Sequence, residues 1–458
     1  MKLTAEQNNT IRELFTQMDS KNDFLELLNE AKSMIYGEKV IPFQLTQLNY
    51  YINKDSVSLP SKVNASLLPH LNRGDVRFNE SEKKATYTTF TIKKKSGADR
   101  TIHAPVKGLK ELQKALNVIL QCVYQPHDAA TGFVLGKSIV DNAKVHIGQT
   151  YVYNLDLKDF FPSVDKPRVW GRLLFSPFNL NSTPDRKSIA NMIAGLSCTP
   201  MEVERYVEDE WRKVTTSVLP QGAPTSPVLT NAICEKLDKR LSGVAKRFGL
   251  NYTRYADDIT FSSKHNLYKN AEGVNEKIYV ENSSFDKEVR RIIADQRFHV
   301  KESKVRLQNE KYRQEVTGLL VNEKVNVSRK YIEQLRQWLH YWEIFGYDRA
   351  YLYFLQQYET GKNEPLDKKP NMAMVVEGKL LYLKMVKGAA DSTYLKLKNR
   401  YDILISKMLK TLSVANILEI WETEGIEAAM EAFYIKHTKE IAVDLDAEKY
   451  KDNYTVYL

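Results

Sequence analysis

The chain has 458 residues, of which 43% are apolar and 27% charged, with a formal charge of +10 and a pI near 9.1. That length suits roughly two to three domains with a substantial core, and the composition excludes a disordered or low-complexity chain. The basic balance points to an anionic partner, the plainer alternative being a lysine-rich soluble surface.

The charge is unevenly placed: from Ser413 onward four Lys stand against ten Asp and Glu, a balance of −6 that leaves +16 on residues 1–412. The body is therefore the expected nucleic-acid surface. Cys122, Cys198 and Cys234 are far apart and lack metal spacing, which reads as three reduced thiols. No run approaches the ~18 apolar residues of a membrane span, and the first residues lack an apolar signal core. The expectation is a cytoplasmic protein without a membrane partner.

Residues 1–75 read as a helical N-terminal extension, with Ile11, Leu14, Phe15 and Met18, then Phe24, Leu25, Leu28 and Ala31, at helical spacing. From Tyr87 the pattern turns to strand, and the run Lys93-Lys94-Lys95-Ser96-Gly97-Ala98-Asp99-Arg100 forms the tip of a hairpin ending near Pro105. Four cations on one tip suit a triphosphate, since Lys gives a point charge and Arg a fork; a solvated loop is the alternative. Leu109–Val123 is an amphipathic helix with Leu109, Leu112, Leu116 and Ile119 on one face. The glycines Gly132 and Gly136 lie too close together for a phosphate-binding loop ending in Gly-Lys-Ser.

Tyr151-Val152-Tyr153-Asn154-Leu155-Asp156 is an apolar strand ending in an acid. Residues 167–213 read as helices. The loop Leu219-Pro220-Gln221-Gly222-Ala223-Pro224 then leads to a helix over 228–248, with Ser226 as its cap and Pro227 in its first turn. Such a loop lets backbone approach a base pair while Gln221 hydrogen-bonds it.

Two strands flank Tyr255-Ala256-Asp257-Asp258. Acids are depleted from strands, so the pair belongs in the turn. A lone Asp-Asp turn also suits a solvated hairpin tip. With Asp156 on a neighbouring strand, however, three carboxylates make the minimum set for two-metal phosphoryl or nucleotidyl transfer. Downstream come a helix near 285–293, an extended piece carrying Lys304, a hairpin-like turn at Val316-Thr317-Gly318, and a helix capped by Ser328. On that helix Arg329, Lys330, Arg336, Tyr341 and Tyr347 make a cationic and aromatic face suited to a nucleic-acid duplex, or else a solvated one.

Taken in order, the basic hairpin, the Asp156 strand, the Pro-Gln-Gly loop with its helix, the Asp-Asp hairpin, the Lys304 segment and the Val-Thr-Gly turn resemble the reverse transcriptase family over about residues 85–390. Asn142-Ala143-Lys144-Val145-His146 and Val316-Thr317-Gly318 are similar to the two signatures of its retron and bacterial defence-associated branch. The resemblance implies an α+β right-hand polymerase: fingers and the start of the palm over 76–155, an antiparallel palm sheet over 156–324, a helical thumb over 325–390 and a C-terminal extension over 391–458. It makes Asp156, Asp257 and Asp258 catalytic and, together with Leu157, ligands of two Mg²⁺ ions that Mn²⁺ could replace.

The same resemblance gives Lys304 the proton for the leaving pyrophosphate and assigns the incoming dNTP to Lys94, Arg100, Asp159, Phe160, Phe161 and Gln221. Phe161 is then the gate that crowds a ribose 2′-OH. Gly222, Asn142, His146, Arg329, Lys330 and Arg336 fall to the RNA template. The implied partners are a noncoding RNA, dNTPs and a cDNA product, in an antiphage setting. Untemplated or protein-primed synthesis and a non-catalytic RNA scaffold are the competing readings. The acidic tail leaves an oligomer contact, an effector protein or an RNA-repelling surface open. Where Lys301 and Val305 stand, the family usually has Asn and Thr.

Overall fold

The computed structural model describes residues 3–53, 86–93, 97, 99–208, 210–269, 273–360, 369–411 and 414–430. The chain divides into two compact units, Met1–Thr317 and Gly318–Leu458. The first unit is α+β with antiparallel sheets, and the described part of the second is predominantly helical.

The first unit begins with helices α1 (Ala5–Gln17), α2 (Lys21–Tyr36) and α3 (Leu45–Asn53). Thr4 and Ser20 each close a capping box at the start of α1 and α2, satisfying donors that a helix start leaves orphaned. Ile11, Phe15, Met18, Phe24, Leu28 and Ala31 are buried as the spacing predicts, while Leu14 is 36% exposed. These residues share one core with Leu112, Leu116 and Ile119 of α4 (Lys107–Val123). The N-terminal helices are thus built into the first unit. Arg12 Nε donates to the Cys122 carbonyl at the end of α4, at 2.6 Å.

Strands β1 (Tyr87–Lys93) and β2 (Asp99–Pro105) form the expected basic hairpin. After α5 (Ile139–Lys144) comes β3 (Tyr151–Asp156). The stretch read as helical over 167–213 is only partly so. Helices α6 (Lys166–Leu173) and α7 (Pro184–Ser197) are followed by the ribbon of β4 (Thr199–Val207) and β5 (Glu210–Val218). Val203, Tyr206, Trp211, Val214, Thr215, Thr216 and Val218 suit strands better than a helix.

Helix α8 (Ser226–Phe248) starts with Thr225 as its cap residue, one position before the expected Ser226, whose hydroxyl donates instead to the Pro220 carbonyl at 2.8 Å. The hairpin β6 (Asn251–Tyr255) and β7 (Asp258–Ser263) is followed by the short ribbon β8 (Leu267–Lys269) and β9 (Asn275–Lys277), then α9 (Ser284–Asp295) and β10 (Arg306–Asn309). Sequence reading did not foresee β10.

The central sheet has the order β10-β3-β7-β6, antiparallel throughout. Side chains alternate between faces along each strand. One face carries the cross-strand rows Tyr153, Phe261, Tyr252 and Leu155, Ile259, Arg254; the other carries Asn154, Thr260, Thr253 and Asp156, Asp258, Tyr255. The aromatic row packs on Phe285 of α9, so burial of that face holds the register that aligns the acids.

In the second unit, α10 (Arg329–Thr360) begins at Ser328, whose hydroxyl accepts from the Tyr331 amide at 3.3 Å. The helix is broken at Gly346, where φ is +79°. Leu335, Leu339 and Trp342 are buried as expected, and Ile332 is half-buried. Helices α11 (Met372–Lys387), α12 (Ser392–Thr411) and α13 (Val414–Glu424) follow. Among the described residues no helix is long and apolar enough to cross a membrane. The three cysteines are buried free thiols.

Candidate active site

Asp156 ends β3 and Asp258 opens β7, and the two are direct cross-strand partners. Asp258 also pairs with Tyr255, leaving Ala256 and Asp257 as the two-residue turn of the β6–β7 hairpin. Only Asp257 of the two adjacent acids therefore lies in the turn, because alanine supplies the other position at φ +56°. The Asp257 carbonyl accepts from the Leu157 amide at 2.9 Å, tying the turn to the residue after Asp156. Lys301 donates its amide to the Asp156 carbonyl at 2.7 Å, and Lys304 Nζ reaches Asp156 Oδ1 at 2.7 Å. Lys304 stands on a short 3₁₀ turn, Glu302–Lys304, and not on an extended segment.

The carboxylates repel one another. Burial first, and then the charge of Asp156, push Asp257 above the ordinary carboxylate range, while Lys304 and Arg100 pull it back. Burial, followed by Asp257 and Asp156, raises Asp258 to about 7 against relief from Arg306 and Lys304. Among the described residues no group of three or more His, Cys, Asp or Glu forms a ready metal nest, and Asp156 is turned to Lys304. The donor set nevertheless fits a hard divalent cation. Three carboxylates at adjoining strand ends supply the oxygen ligands that Mg²⁺ takes, and such a cation would return raised acids to their charged form. It would have to take Asp156 from Lys304.

A stability prediction follows from the Asp258 shift. A carboxylate whose folded pKa lies above its unfolded value leaves the native state holding more protons, so stability falls as pH rises between the two values. For Asp258 that window runs from about 4 to about 7. Without divalent metal, Asp258→Asn is expected to melt several degrees above the wild type at pH 8 and to match it at pH 4. Parallel melting curves at both pH values would refute this origin of the shift.

The residues expected to bind dNTP fall into distinct places. Lys94 lies outside the described residues, while Arg100 is half-buried and close enough to Asp257 to stabilise its charge. Asp159 is exposed in the left-handed region, at φ +47°. Phe161 is half-buried beside Phe133, at 5.9 Å between ring centroids. The Phe160 side chain cannot line a nucleotide pocket: it is 5% exposed and stacked on Phe298, so only its backbone is available. Leu157 is buried likewise and offers main-chain atoms alone.

The Gln221 carbonyl accepts from the His103 amide at 2.9 Å, joining the Pro-Gln-Gly loop to β2. At Gly222, φ is +126° and an added Cβ would meet the His103 carbonyl oxygen at 2.7 Å. The close approach inferred for Gly222 is thus made to the basic hairpin of the protein itself.

Asn142 and His146 do not face a ligand, contrary to the template expectation, for both are fully buried. The His146 ring nitrogens meet Ser262 Oγ and Thr253 Oγ1, each at 2.7 Å, on the same sheet face as the acids. Burial lowers its pKa to about 3, so the ring is neutral and bridges β6 to β7. Asn142 Oδ1 accepts from Thr131 Oγ1 at 2.7 Å, and its amide approaches Thr317 Oγ1 at 3.5 Å. Asn142 of the first signature therefore meets Thr317 of the second, the last residue of the first unit. His146→Ala would strand the Thr253 hydroxyl, leave Ser262 Oγ only the Asn251 amide at 3.4 Å, and open a cavity, at a cost of about 3 kcal/mol. The expected outcome is a melting temperature several degrees lower, with equal loss of activity on cognate RNA and on a generic primer-template. Selective loss on cognate RNA would restore a recognition role.

In the second unit, Arg329, Lys330 and Arg336 are exposed on α10, with Arg329 paired to Glu333 at 2.7 Å. The aromatic part of that face is interrupted. Tyr341 stacks on Tyr353 across the Gly346 break at 3.9 Å, and Tyr347 lies beyond the break against Trp342.

Sequence reading missed Arg254 and Asp238, both fully buried and joined behind the β6–β7 turn. The signal was present: Asp238 interrupts the buried helical repeat of Cys234, Leu237 and Leu241, and Arg254 occupies an inward strand position. Buried charges of that kind need each other. It also missed Gly132, where a Cβ would meet the Ala256 amide nitrogen at 2.6 Å.

The family described as Reverse transcriptase (RNA-dependent DNA polymerase) matches residues 92–332. Retron Mx65 reverse transcriptase of Myxococcus xanthus is 36% identical over 263 residues, covering 57% of this chain and 56% of that one. Retron Ec86 reverse transcriptase of Escherichia coli is 31% identical over 260 residues, covering 56% and 69% respectively. The chain thus spans about half the length of the Myxococcus relative. A solved telomerase from Candida albicans, in complex with a fragment of telomeric RNA, aligns over 88% of this chain and 71% of its own at 11% identity and a TM-score of 0.34.

Proposed function

The chain belongs to the reverse transcriptase family, and from that membership we propose that it is an RNA-directed DNA polymerase that copies an associated noncoding RNA into cDNA by two-metal nucleotidyl transfer. The observation that carries this reading is the strand register: Asp156 opposite Asp258, with Asp257 in the adjoining turn and Lys304 within reach. Similarity to the retron relatives supports the RNA-templated mode, and the antiphage setting rests on the resemblance alone.

Asp156, Asp257 and Asp258 would hold the divalent ions, with Leu157 contributing through its main chain. Such ions, when bound, make the primer hydroxyl a better nucleophile and neutralise the triphosphate. Arg100 acts on Asp257 from β2 and binds the triphosphate, joined by Lys94. The exposed Asp159 and the Phe160 main chain lie over that triphosphate, and Phe161 crowds the sugar. Gln221 and Gly222 border the nascent base pair from a loop fixed to β2. Lys304 holds a proton on Nζ at the rim of the site and gives it to the leaving pyrophosphate. On α10, Arg329, Lys330 and Arg336 contact phosphates of the template duplex, with loss of affinity as salt rises.

The experiment is to purify the protein from its native locus, extract the bound nucleic acid, and sequence it with and without RNase and DNase treatment. A discrete cDNA complementary to a co-purifying RNA is the expected result. Homopolymer, or DNA that stays on the protein after RNase, would replace templated copying with untemplated or protein-primed synthesis. Absence of any DNA product, together with no dNTP incorporation on added primer-template, would leave an RNA-binding scaffold.

A further inference from the structure

We infer that the buried Arg254–Asp238 pair is a positioning device for the catalytic acids, setting the turn that carries Asp257 through the carbonyl of Ala256. The inference rests on the polymerase reading and extends it to two residues that touch neither substrate nor metal ligand side chains.

Arg254 lies on β6, three residues before Asp257, with its side chain on the sheet face opposite the acids. Its Nε and Nη2 donate to Asp238 Oδ1 and Oδ2, both at 2.7 Å, the two-pronged geometry that Arg makes and Lys cannot. Nη2 also reaches Asn231 Oδ1 at 3.1 Å, and Nη1 donates to the Ala256 carbonyl at 3.0 Å. The guanidinium further lies 5.9 Å from the Phe160 ring, in the loop after Asp156. One side chain therefore adjoins both segments that supply the acids.

The turn needs such a hold. Ala256 sits at φ +56°, a region an alanine enters only at a cost of about 1–2 kcal/mol. Gly132 lies so near that a Cβ there would meet the Ala256 amide nitrogen at 2.6 Å, and the Gly132 carbonyl is fixed by Asn231 Nδ2 at 2.9 Å. Asn231 thus touches both the clamp and the wall. Both charges of the pair are out of water, where an ion pair contributes little net stability compared with apolar packing. What it does contribute is direction, because the fork fixes where Nη1 points. Asp238 and Asn231 both belong to α8, the helix entered through the Gln221-Gly222 loop. The base-pair border and the metal-binding turn are thereby referred to one rigid element.

The test compares Arg254→Lys, which keeps the charge and loses the fork, with Tyr252→Phe. The latter removes another hydrogen bond to Asp238, 2.8 Å long, without touching the turn. Wild-type incorporation on a primer-template is measured first; its absence would overturn the polymerase reading itself. Given wild-type activity, Arg254→Lys is expected to lower kcat by about 10–100-fold, the range for groups that orient metal ligands. The KM for dNTP should stay within about threefold, and Mn²⁺ binding by electron paramagnetic resonance should weaken by a similar 10–100-fold. Tyr252→Phe should keep kcat and Mn²⁺ affinity within about threefold, whatever its melting temperature. Should Arg254→Lys fail to fold, Asn231→Ala removes the Nη2 contact and the Gly132 tie, with the same direction of effect expected. The positioning role is overturned if the folded variant keeps wild-type kcat and Mn²⁺ affinity, or if Tyr252→Phe loses both as severely.

Discussion

Asp257→Asn is expected to reduce nucleotide addition on the order of a thousandfold or more while leaving the protein folded and no less stable than before. The reason is that Asp257 works against the fold. Its carboxylate is raised above the usual range by burial and by Asp156, so the native state would gain from losing that charge. Asparagine keeps the shape of the turn, whose main-chain bond from the Leu157 amide uses the carbonyl and not the side chain. What the proposed metal site would lose is an anionic oxygen ligand beside two other carboxylates. The measurement is single-nucleotide incorporation at saturating dNTP, paired with thermal melting and RNA binding. A variant that loses activity together with its melting transition would show Asp257 to be structural. One that retains activity would remove it from the metal set.

The acids themselves were legible because they contradict their surroundings. Asp156 and Asp258 close and open strands rich in β-branched and aromatic residues, where charge is disfavoured, although sequence reading put Asp258 in the turn and not at the start of β7. The basic hairpin and the cap of α10 were legible for similar local reasons. The β4–β5 ribbon was not, since most of its side chains are partly or fully exposed and no alternation of burial marks it. Asn142 and His146 show a different limit. Their partners Ser262, Thr253 and Thr317 lie more than 100 residues along the chain, so a conspicuous motif could be read as a ligand contact when its work is internal. Phe160 and Phe161 are adjacent and chemically alike, yet packing on Phe298 buries the first and leaves the second half-open. No local pattern separates them.

That separation makes Phe161→Ala the sharper test of substrate choice. Phe161 stands five residues after Asp156, half-buried, its ring 5.9 Å from Phe133 and 5.4 Å from Phe160. Phe133 is in turn 6.3 Å from Tyr255, at the edge of the β6–β7 turn. The ring is therefore held by its two aromatic neighbours and leaves the rest of its surface partly open. A ring held in that way excludes a group by having nowhere to go, whereas an unsupported ring would swing aside for a 2′-hydroxyl at little cost. Truncation to alanine removes the wall and leaves Phe133 and Phe160 in place. The expected result is a fall of about a hundredfold in the preference for dNTP over rNTP, the scale on which a pocket discriminates one hydroxyl, with dNTP efficiency reduced only severalfold. The ratio of kcat/KM for matched dNTP and rNTP on one primer-template measures it. An unchanged ratio would move sugar selection elsewhere, and a collapse of both efficiencies together would mean that the ring supports the acids and does not read the sugar.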